Sequence, residues 1–448
     1  MSFDTLNLPD TLLAAVRDAG HAEPTEVQRQ AIPPAIAGRD LTVSSSTGSG
    51  KTASFVLPAL CRVLAARQDP SRRRTPGVVA GPRVLVLVPT RELALQVARA
   101  TTTYGRHLRG LRVATVVGGV PYGLQLRQLA GPLDILVATP GRLMDHMASG
   151  KAVLANVEML VLDEADRMLD MGFVDDIRHI VQSLPAERQT VMLSATFAGH
   201  VGRLAQALLR DPLRIEVATH TDVHAGIEQR LHWADDLRHQ HALLDHILTD
   251  RGVDQALVFT STQRDAEGLA ERLADMGHAV AALHGGMPQG RRNRVLHGLR
   301  TRQLRVLVAT DVAARGIDVP SISHVVNVGL PMKVEDYVHR IGRTGRAGRS
   351  GLAVTLADRR DAGKVQRIQR FTSQRIPAAV IPGLEPRLAA PAERPMAAHA
   401  QKPTAPGRSK AGPGGRPGDA RGRHGAPRRE ATGGRASRRS PHGPRTSR

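Results

Sequence analysis

A short polar segment, residues 45–52 (Ser-Ser-Thr-Gly-Ser-Gly-Lys-Thr), has the residue types that bind phosphate. It follows the apolar run at 41–43 and precedes a stretch that is typical of a helix. Glycines in such a loop let successive N–H groups surround an anion, while Lys51 reaches the outer phosphates and the Thr52 hydroxyl binds Mg²⁺. We therefore predict nucleotide ligands at Ser46, Thr47, Gly48, Ser49, Gly50, Lys51 and Thr52. A Gly/Ser-rich turn remains the alternative, because Ser45 stands where the strict pattern has glycine.

A second polar segment, Asp163-Glu164-Ala165-Asp166, follows directly after the apolar run at 159–162. Carboxylates at the tip of a buried strand are unfavourable unless they meet a cation. Asp163 is placed to hold Mg²⁺, partly through water, and Glu164 to act as the general base for an attacking water. An acidic helix start is the alternative, since helix N-termini favour Asp and Glu. A phosphate loop in the same domain favours hydrolysis of ATP with Mg²⁺, in which Lys51 is also catalytic.

Both segments need a sheet to hold them together, and the chain has the pattern of parallel α/β sheets, with short apolar runs alternating with amphipathic stretches. Predicted strands cover residues 83–88, 133–138, 158–162 and 190–193, then 256–259, 279–283, 305–309 and 324–328. Each run ends in a polar or Gly-containing cluster, and ligands bind beyond the carboxyl ends of such strands. We predict two α/β domains, at residues 1–212 and 229–384, joined by a linker at 213–228.

Composition adds a strongly basic C-terminal segment. The chain of 448 residues carries a formal charge of +21, which indicates a polyanionic partner or, more simply, a basic solubilising surface. Residues 385–448 contribute +11 of it, are rich in Gly, Pro and Arg, and lack aromatic residues, so we predict a disordered basic tail. The single cysteine, Cys61, excludes an intrachain disulfide. With no signal peptide or apolar span in view, we expect a cytoplasmic protein that does not bind membranes.

The acidic segment spells the name of the DEAD-box RNA helicases, and the chain resembles that family from about residue 3 to residue 349. In the first half, Pro24-Thr25 with Gln28 resembles the family's adenine-reading segment, and Phe3 its upstream aromatic residue. The resemblance implies that Phe3, His21, Thr25 and Gln28 bind ATP and that Asp166, Ser194 and Thr196 couple hydrolysis to domain closure. It also implies RNA-backbone contacts at Pro89, Thr90, Arg91, Gly119, Thr139, Pro140, Gly141 and Arg142.

The second half resembles the family's other domain. The resemblance implies RNA contacts at Thr260, Ser261, Gln289, Arg292, Thr310 and Arg315, and ATP contacts at Asp311, Gly316 and Asp318. His339 is implied to join the coupling residues, and Arg343 and Arg346 to act as arginine fingers on the γ-phosphate. Arginines supplied in this way are worth about 10³–10⁵ in rate. The fold implied is two tandem RecA-like domains, each a parallel β-sheet flanked by helices.

One departure from the family pattern concerns ATP affinity. His21 stands where the family usually has Phe or Tyr, and an imidazole stacks on adenine more weakly than either ring.

The implied activity is RNA-stimulated ATP hydrolysis with local unwinding of short duplexes or remodelling of RNA–protein complexes, by a monomer. The short N-terminus and Arg-rich tail look most like the bacterial RhlE-type branch, whose partners would be ribosomal precursors or RNA-decay proteins. An ATP-gated RNA clamp, and an RNA annealer acting through the tail, are the alternatives from other functional classes.

Overall fold

The computed structural model describes residues 2–45, 49–72, 81–217, 226–314, 317, 319, 321–345 and 349–391. Some predicted ligands lie outside the described residues: Ser46, Thr47, Gly48, Arg315, Gly316, Asp318 and Arg346. The basic segment from residue 392 onward lies outside them as well. In the described ranges, no helix is long and apolar enough to cross a membrane.

A first sheet is built by seven parallel strands of the described chain. They are β1 (Leu41–Ser44), β2 (Val84–Leu87), β3 (Val113–Val116), β4 (Ile135–Ala138), β5 (Met159–Leu162), β6 (Gln189–Ser194) and β7 (Leu213–Glu216). Their order is β3-β4-β2-β5-β6-β1-β7. Along β2, Val84 and Val86 enter one hydrophobic core while Leu85 and Leu87 enter the other, because successive side chains point to opposite faces. The sheet is thus covered on both sides, as its continuous apolar strands require.

The described residues form a second parallel sheet from six strands. They are β8 (Ile227–Trp233), β9 (Gln255–Phe259), β10 (Val280–Leu283), β11 (Val306–Ala309), β12 (Ile322–Asn327) and β13 (Gly351–Ala357). The order is β10-β11-β9-β12-β13-β8. Along β11, Val306 and Val308 enter one core and Leu307 and Ala309 the other, as in the first sheet. The predicted fold class, two parallel-sheet α/β domains, is confirmed.

Helices connect the strands on both faces of each sheet. Those before residue 217 are α1 (Asp10–Asp18), α2 (Glu26–Ile36), α3 (Lys51–Gln68), α4 (Arg91–Tyr104), α5 (Tyr122–Leu129), α6 (Pro140–Ala148), α7 (Ala165–Asp170), α8 (Val174–Gln182) and α9 (His200–Leu208). Those after residue 226 are α10 (Leu237–Thr249), α11 (Gln263–Asp275), α12 (Gln289–Arg300), α13 (Asp311–Ala314), α14 (Val334–Ile341) and α15 (Ala362–Thr372). Phe3–Leu6, Pro70–Arg72 and Arg359–Asp361 are 3₁₀ turns.

The structure differs from the predicted domain bounds at two places. The first sheet continues past residue 212, because β7 pairs with β1, and the second begins at Ile227 rather than at 229. At the other end, Asp235 accepts the backbone N–H groups of Arg387 and Leu388, both at 2.9 Å. The first residues of the predicted tail, 385–391, therefore belong to the second domain, and these hydrogen bonds hold them to the end of β8.

Candidate nucleotide site and RNA interface

The phosphate loop connects β1 to α3, as the sequence predicts. Gly50 has φ 91°, a left-handed conformation, and a Cβ added there would lie 2.5 Å from Gln28 Nε2, so only glycine fits. Lys51 opens α3, and its Nζ donates to the Ser45 carbonyl at 2.8 Å. Ser49 Oγ lies 3.0 Å from Ser45 Oγ. The lysine is therefore folded back over the loop, where an arriving phosphate would replace a carbonyl as its partner.

The adenine-reading segment is attached to this loop by one side chain. Gln28 Oε1 accepts the Thr25 N–H at 3.0 Å, which closes a capping box at the start of α2. Gln28 Nε2 donates to the Gly50 carbonyl at 3.1 Å. Both ends of the buried amide are thus engaged. Gln28 and Thr25 are brought to the phosphate loop, as expected for residues of one nucleotide site.

The two predicted aromatic contacts of the adenine segment have different surroundings. Phe3 is buried and belongs to the hydrophobic core of the first domain. His21 is exposed, and its Nε2 lies 3.1 Å from the hydroxyl of Tyr104 at the end of α4. Sequence reasoning did not find Tyr104, because it stands 83 residues away from its partner. The imidazole is therefore oriented by a hydrogen bond that a phenylalanine at position 21 would not make.

The acidic segment ends β5 at the same edge of the sheet. Asp163 is 3% exposed and accepts the Glu164 N–H at 2.9 Å. Burial raises the pKa of the Asp163 carboxyl to about 7, although the Lys51 ammonium acts to lower it, so the phosphate loop and the acidic segment face each other. Glu164 is half-buried at the N-cap of α7 with φ 52°, a strained conformation for a residue with a side chain.

The donor set here fits Mg²⁺ only as part of a nucleotide complex. In the described ranges there is no group of three or more His, Cys, Asp or Glu residues that could hold a metal. The raised pKa of the buried Asp163 carboxyl nevertheless means that its negative charge is unfavourable unless a cation lies beside it. Asp163 and Thr52 would hold the ion, with phosphate oxygens and water supplying the remaining ligands that Mg²⁺ prefers.

Asp166 links the acidic segment to its predicted coupling partners. Its Oδ2 accepts the Ala195 N–H at 3.3 Å, directly beside Ser194, whose Oγ donates to the Thr196 carbonyl at 2.7 Å. The same Oδ2 lies 3.8 Å from His339 Nε2 of the second domain. Burial raises the pKa of Asp166. The predicted coupling residues are thus brought together across the cleft.

Two further ion pairs cross this side of the cleft, and the sequence did not reveal them. The Arg167 guanidinium donates to Asp336, and Lys333 Nζ to Asp170. The side chains of Arg167 and Asp336 are 4% and 10% exposed. Arg167 directly follows the acidic motif, but its partner lies 169 residues away, and no local pattern indicates such a pair.

The predicted arginine finger Arg343 is held by carbonyl groups. Its guanidinium donates to Ile317 O at 2.9 Å and to His339 O at 3.2 Å. Arg340 is bound more firmly: it pairs with both oxygens of Asp311, at 2.6 and 2.7 Å, and lies over the Phe259 ring at 4.8 Å. Asp311, predicted to contact ATP, is here the partner of this structural arginine.

Predicted RNA contacts of the two domains meet on another side of the cleft. Thr90 caps α4, and Arg91 donates to the Gly119 carbonyl at 2.8 Å. Gly119 has φ 72°, and a Cβ there would lie 3.2 Å from Gln289 Cγ of the second domain. Arg292 Nε donates to Glu92 Oε1 at 2.7 Å. Glu92 directly follows the predicted RNA contact Arg91, but its ion pair with Arg292 was not predicted.

The remaining predicted RNA residues lie around this meeting point or at strand ends. Arg142 donates to the Val120 carbonyl at 3.0 Å and lies over the Tyr122 ring at 5.0 Å. Its neighbours Thr139, Pro140 and Gly141 form the start of α6. Residues that follow the carboxyl ends of strands are Pro89, Thr260, Ser261 and Thr310.

Comparison with known proteins agrees with this geometry. The DEAD/DEAH box helicase model matches residues 25–204, and the helicase conserved C-terminal domain model matches residues 239–348. The chain is 40% identical over 394 residues to the ATP-dependent RNA helicase SrmB of Escherichia coli, covering 88% of this chain and 87% of that protein. It is 40% identical over 384 residues to the ATP-dependent RNA helicase DeaD of Klebsiella pneumoniae, covering 86% of this chain but only 58% of that protein.

The fold is also similar to solved structures. A structure of S. cerevisiae Dbp5 bound to RNA and ADP BeF3 matches with a TM-score of 0.73 and 29% identity, covering 84% of this chain and 95% of that one. Two parallel-sheet α/β domains facing one cleft define the class of protein. The chain belongs to the DEAD/DEAH box helicase family.

Proposed function

We propose that this protein is an ATP-dependent RNA helicase that locally unwinds short RNA duplexes or remodels RNA–protein complexes. The observation that carries the proposal is the cleft between the domains: Lys51 and Asp163 stand on one wall, and Arg343 and His339 line the other beside Arg167 of the first domain. Residues of both domains that are predicted to contact RNA meet along the same cleft. Relatives that share most of this chain's length carry the same activity in their names.

Each residue has a distinct task in the proposed reaction. ATP would supply the phosphoryl group, and Mg²⁺ would supply positive charge beside the phosphates. Gly50, Lys51 and Thr52 would hold the phosphates. Glu164 takes the proton of the attacking water. Arg343, together with Arg346, exchanges its carbonyl partners for the charge that develops on the transferred group.

Binding of RNA follows from the same closure. Arg91 and Gly119 of the first domain lie beside Gln289 and Arg292 of the second, so a continuous backbone-binding surface exists only when the domains meet. Contacts of this kind position a strand without reading its bases. The RhlE-type branch, ribosomal or RNA-decay partners, the monomeric state and the cytoplasmic location remain predictions from the sequence.

Two substitutions test the chemistry. Lys51→Ala removes the phosphate ligand and Glu164→Gln removes the base while keeping the side-chain shape, so both should abolish RNA-stimulated ATP hydrolysis. They should differ in binding, because Glu164→Gln keeps its phosphate and metal contacts and traps the complex with RNA. A Glu164→Gln protein that hydrolyses ATP at the parent rate would contradict the assignment.

The basic tail is proposed to capture RNA by charge alone. Residues 392–448 hold 14 Lys and Arg against 3 Asp and Glu and have no aromatic residue to stack on bases. Deletion should start at residue 392, because residues 387 and 388 are bonded to Asp235. The truncated protein should bind RNA more weakly, with a flatter salt dependence, and keep its maximal kcat. Parallel salt slopes for both proteins would leave the tail without a role in RNA capture.

A further inference from the structure

A groove of about 580 Å³ lies between α4 of the first domain and α12 of the second. Both helices begin at the contact between Glu92 and Arg292, and the groove continues from there along their next turns. Its walls include Leu95 and Arg99 on α4 and Arg300 on α12. None of these three residues belongs to the nucleotide site or to the predicted RNA contacts.

The groove has an excess of positive charge. Glu92 is the acidic residue among its described walls, and its carboxylate is already paired with Arg292. Arg99 and Arg300 are both exposed, and neither guanidinium has a hydrogen-bond or ion-pair partner among the residues that the structure describes. Arg91 lies at the end of the groove where α4 begins, and its guanidinium donates to the backbone carbonyls of Gly118 and Gly119. Uncompensated arginines on two facing walls are typical of a site for a polyanion.

We propose that this groove binds the phosphodiester backbone of the RNA strand beyond its contacts at Arg91, Gly119 and Gln289. The inference rests on the proposed helicase function and extends its RNA path. Arg91 belongs both to the predicted RNA surface and to the groove, so a strand that leaves the former enters the latter. Arg99 and Arg300 then pair with successive phosphates from opposite sides.

The walls also limit what the groove recognises. Leu95 is 37% exposed and offers apolar surface to a ribose or a base edge. The lining has no Phe, Tyr or Trp, and the exposed imidazole of His297 offers only a small ring for stacking, so the site is expected to bind with little sequence preference. One wall of the groove comes from each domain, so the groove exists only when the domains are in contact. A ligand that touches both walls therefore stabilises that contact.

The test compares two double variants of the full-length protein. Arg99→Gln with Arg300→Gln removes the two groove charges. Arg203→Gln with Arg367→Gln is the matched control, because these exposed arginines lie on α9 and α15 and do not line the groove. RNA affinity is measured with a non-hydrolysable ATP analogue against a length series of oligouridylates over a range of salt concentrations.

The groove variant should lose the gain in affinity that the parent shows on longer oligomers. Two phosphate contacts on a single strand correspond to a decrease of about 1.4 in the log–log salt slope for long RNA. The control variant should keep both the gain and the slope of the parent. If the parent protein shows no RNA-stimulated hydrolysis of ATP, the result contradicts the proposed helicase function itself and not only the proposed role of the groove.

Other results would overturn the inference while leaving the helicase intact. Parallel slopes for groove variant and parent at every RNA length would show that no strand enters the groove. An equal loss on the shortest oligomers would assign the two arginines to the central RNA contacts. Loss of inorganic tripolyphosphate binding, with the RNA length dependence kept, would mark a site for small polyphosphates. Normal RNA slopes with loss of an acidic protein ligand would mark a protein-docking site.

Discussion

The two sides of the cleft differ in how their charges are balanced. On the nucleotide side, Asp166, Asp170 and Asp336 face Arg167, Lys333 and His339, and these pairs are formed between protein groups alone. On the RNA side, Glu92 and Arg292 form an ion pair next to Arg99 and Arg300, which have no ion pair within the described ranges of the chain. The nucleotide side therefore contributes a contact of its own to domain closure, whereas the RNA side remains incomplete until phosphates supply the missing negative charge.

This difference suggests a division of labour between the two ligands. Protein ion pairs position the domains, and ATP would add phosphate charge for Lys51, whose ammonium donates to the Ser45 carbonyl. RNA binds at a contact that the domains have already formed, and its affinity grows with the number of phosphates that the arginines neutralise. Breaking an ion pair on each side should show the asymmetry directly.

The largest effect on the contact between the domains is expected from Asp336→Ala, which leaves Arg167 with only Asp170 as an acidic ion-pair partner among the described residues. Breaking a buried ion pair by removing one partner costs about 3–5 kcal/mol. Asp170 lies 3.5 Å from Arg167 and compensates in part, so the lower end of that range applies. RNA-stimulated kcat/KM should fall roughly a hundredfold, with a matching loss of inter-domain energy transfer between fluorophores.

The matched change on the RNA side is Glu92→Ala, for which about 1 kcal/mol is expected. Arg292 keeps its hydrogen bond to Ala313 O at 2.7 Å and can turn toward the open groove. Equal losses for the two variants would contradict the asymmetry. The double variant Arg167→Ala with Asp336→Ala should recover part of the loss, because no unpaired charge is then buried.

A further prediction concerns the buried Asp163 carboxyl on the nucleotide side. Burial raises the pKa of Asp163 from its ordinary 3.8 to about 7, so the ionised carboxylate destabilises the ligand-free fold. This cost is fully present above pH 7 and decreases as the pH falls toward 4, since the folded form then takes up the proton first. Asp163→Asn should raise the free energy of unfolding at pH 8 by up to about 4 kcal/mol while abolishing hydrolysis.

Thermal and denaturant unfolding of both proteins at several pH values checks this sign. The stability difference should shrink between pH 8 and pH 5. A constant difference would mean that the buried carboxyl is neutralised in some other way, and a less stable Asp163→Asn protein would contradict the prediction.

The sequence predicted most of the buried strands, though not β13, and the positions of the motif residues at strand ends, but not the contacts between distant parts. Strands β2, β4, β5 and β11 are continuous apolar runs, which a buried position on both faces requires. Edge strands such as β7 (Leu-Arg-Ile-Glu) and β8 were missed because one face is polar. The pairs of Arg167 with Asp336 and of His21 with Tyr104 depend on tertiary packing, which leaves no periodic signal in the chain.

The smallest expected effect concerns Tyr104, which either positions His21 through a hydrogen bond or only packs in the hydrophobic core. Its hydroxyl bonds His21 at 3.1 Å, and losing one such bond costs about 1 kcal/mol, so Tyr104→Phe should raise the KM for ATP about fivefold with little change in kcat. His21→Phe should lower KM instead, because a full aromatic face then stacks on adenine. In the His21→Phe background the Tyr104 hydroxyl has no partner at position 21, so adding Tyr104→Phe should leave KM unchanged. An equal rise in both backgrounds, with a lower melting temperature, would show that Tyr104 acts through packing alone and that His21 does not orient the base.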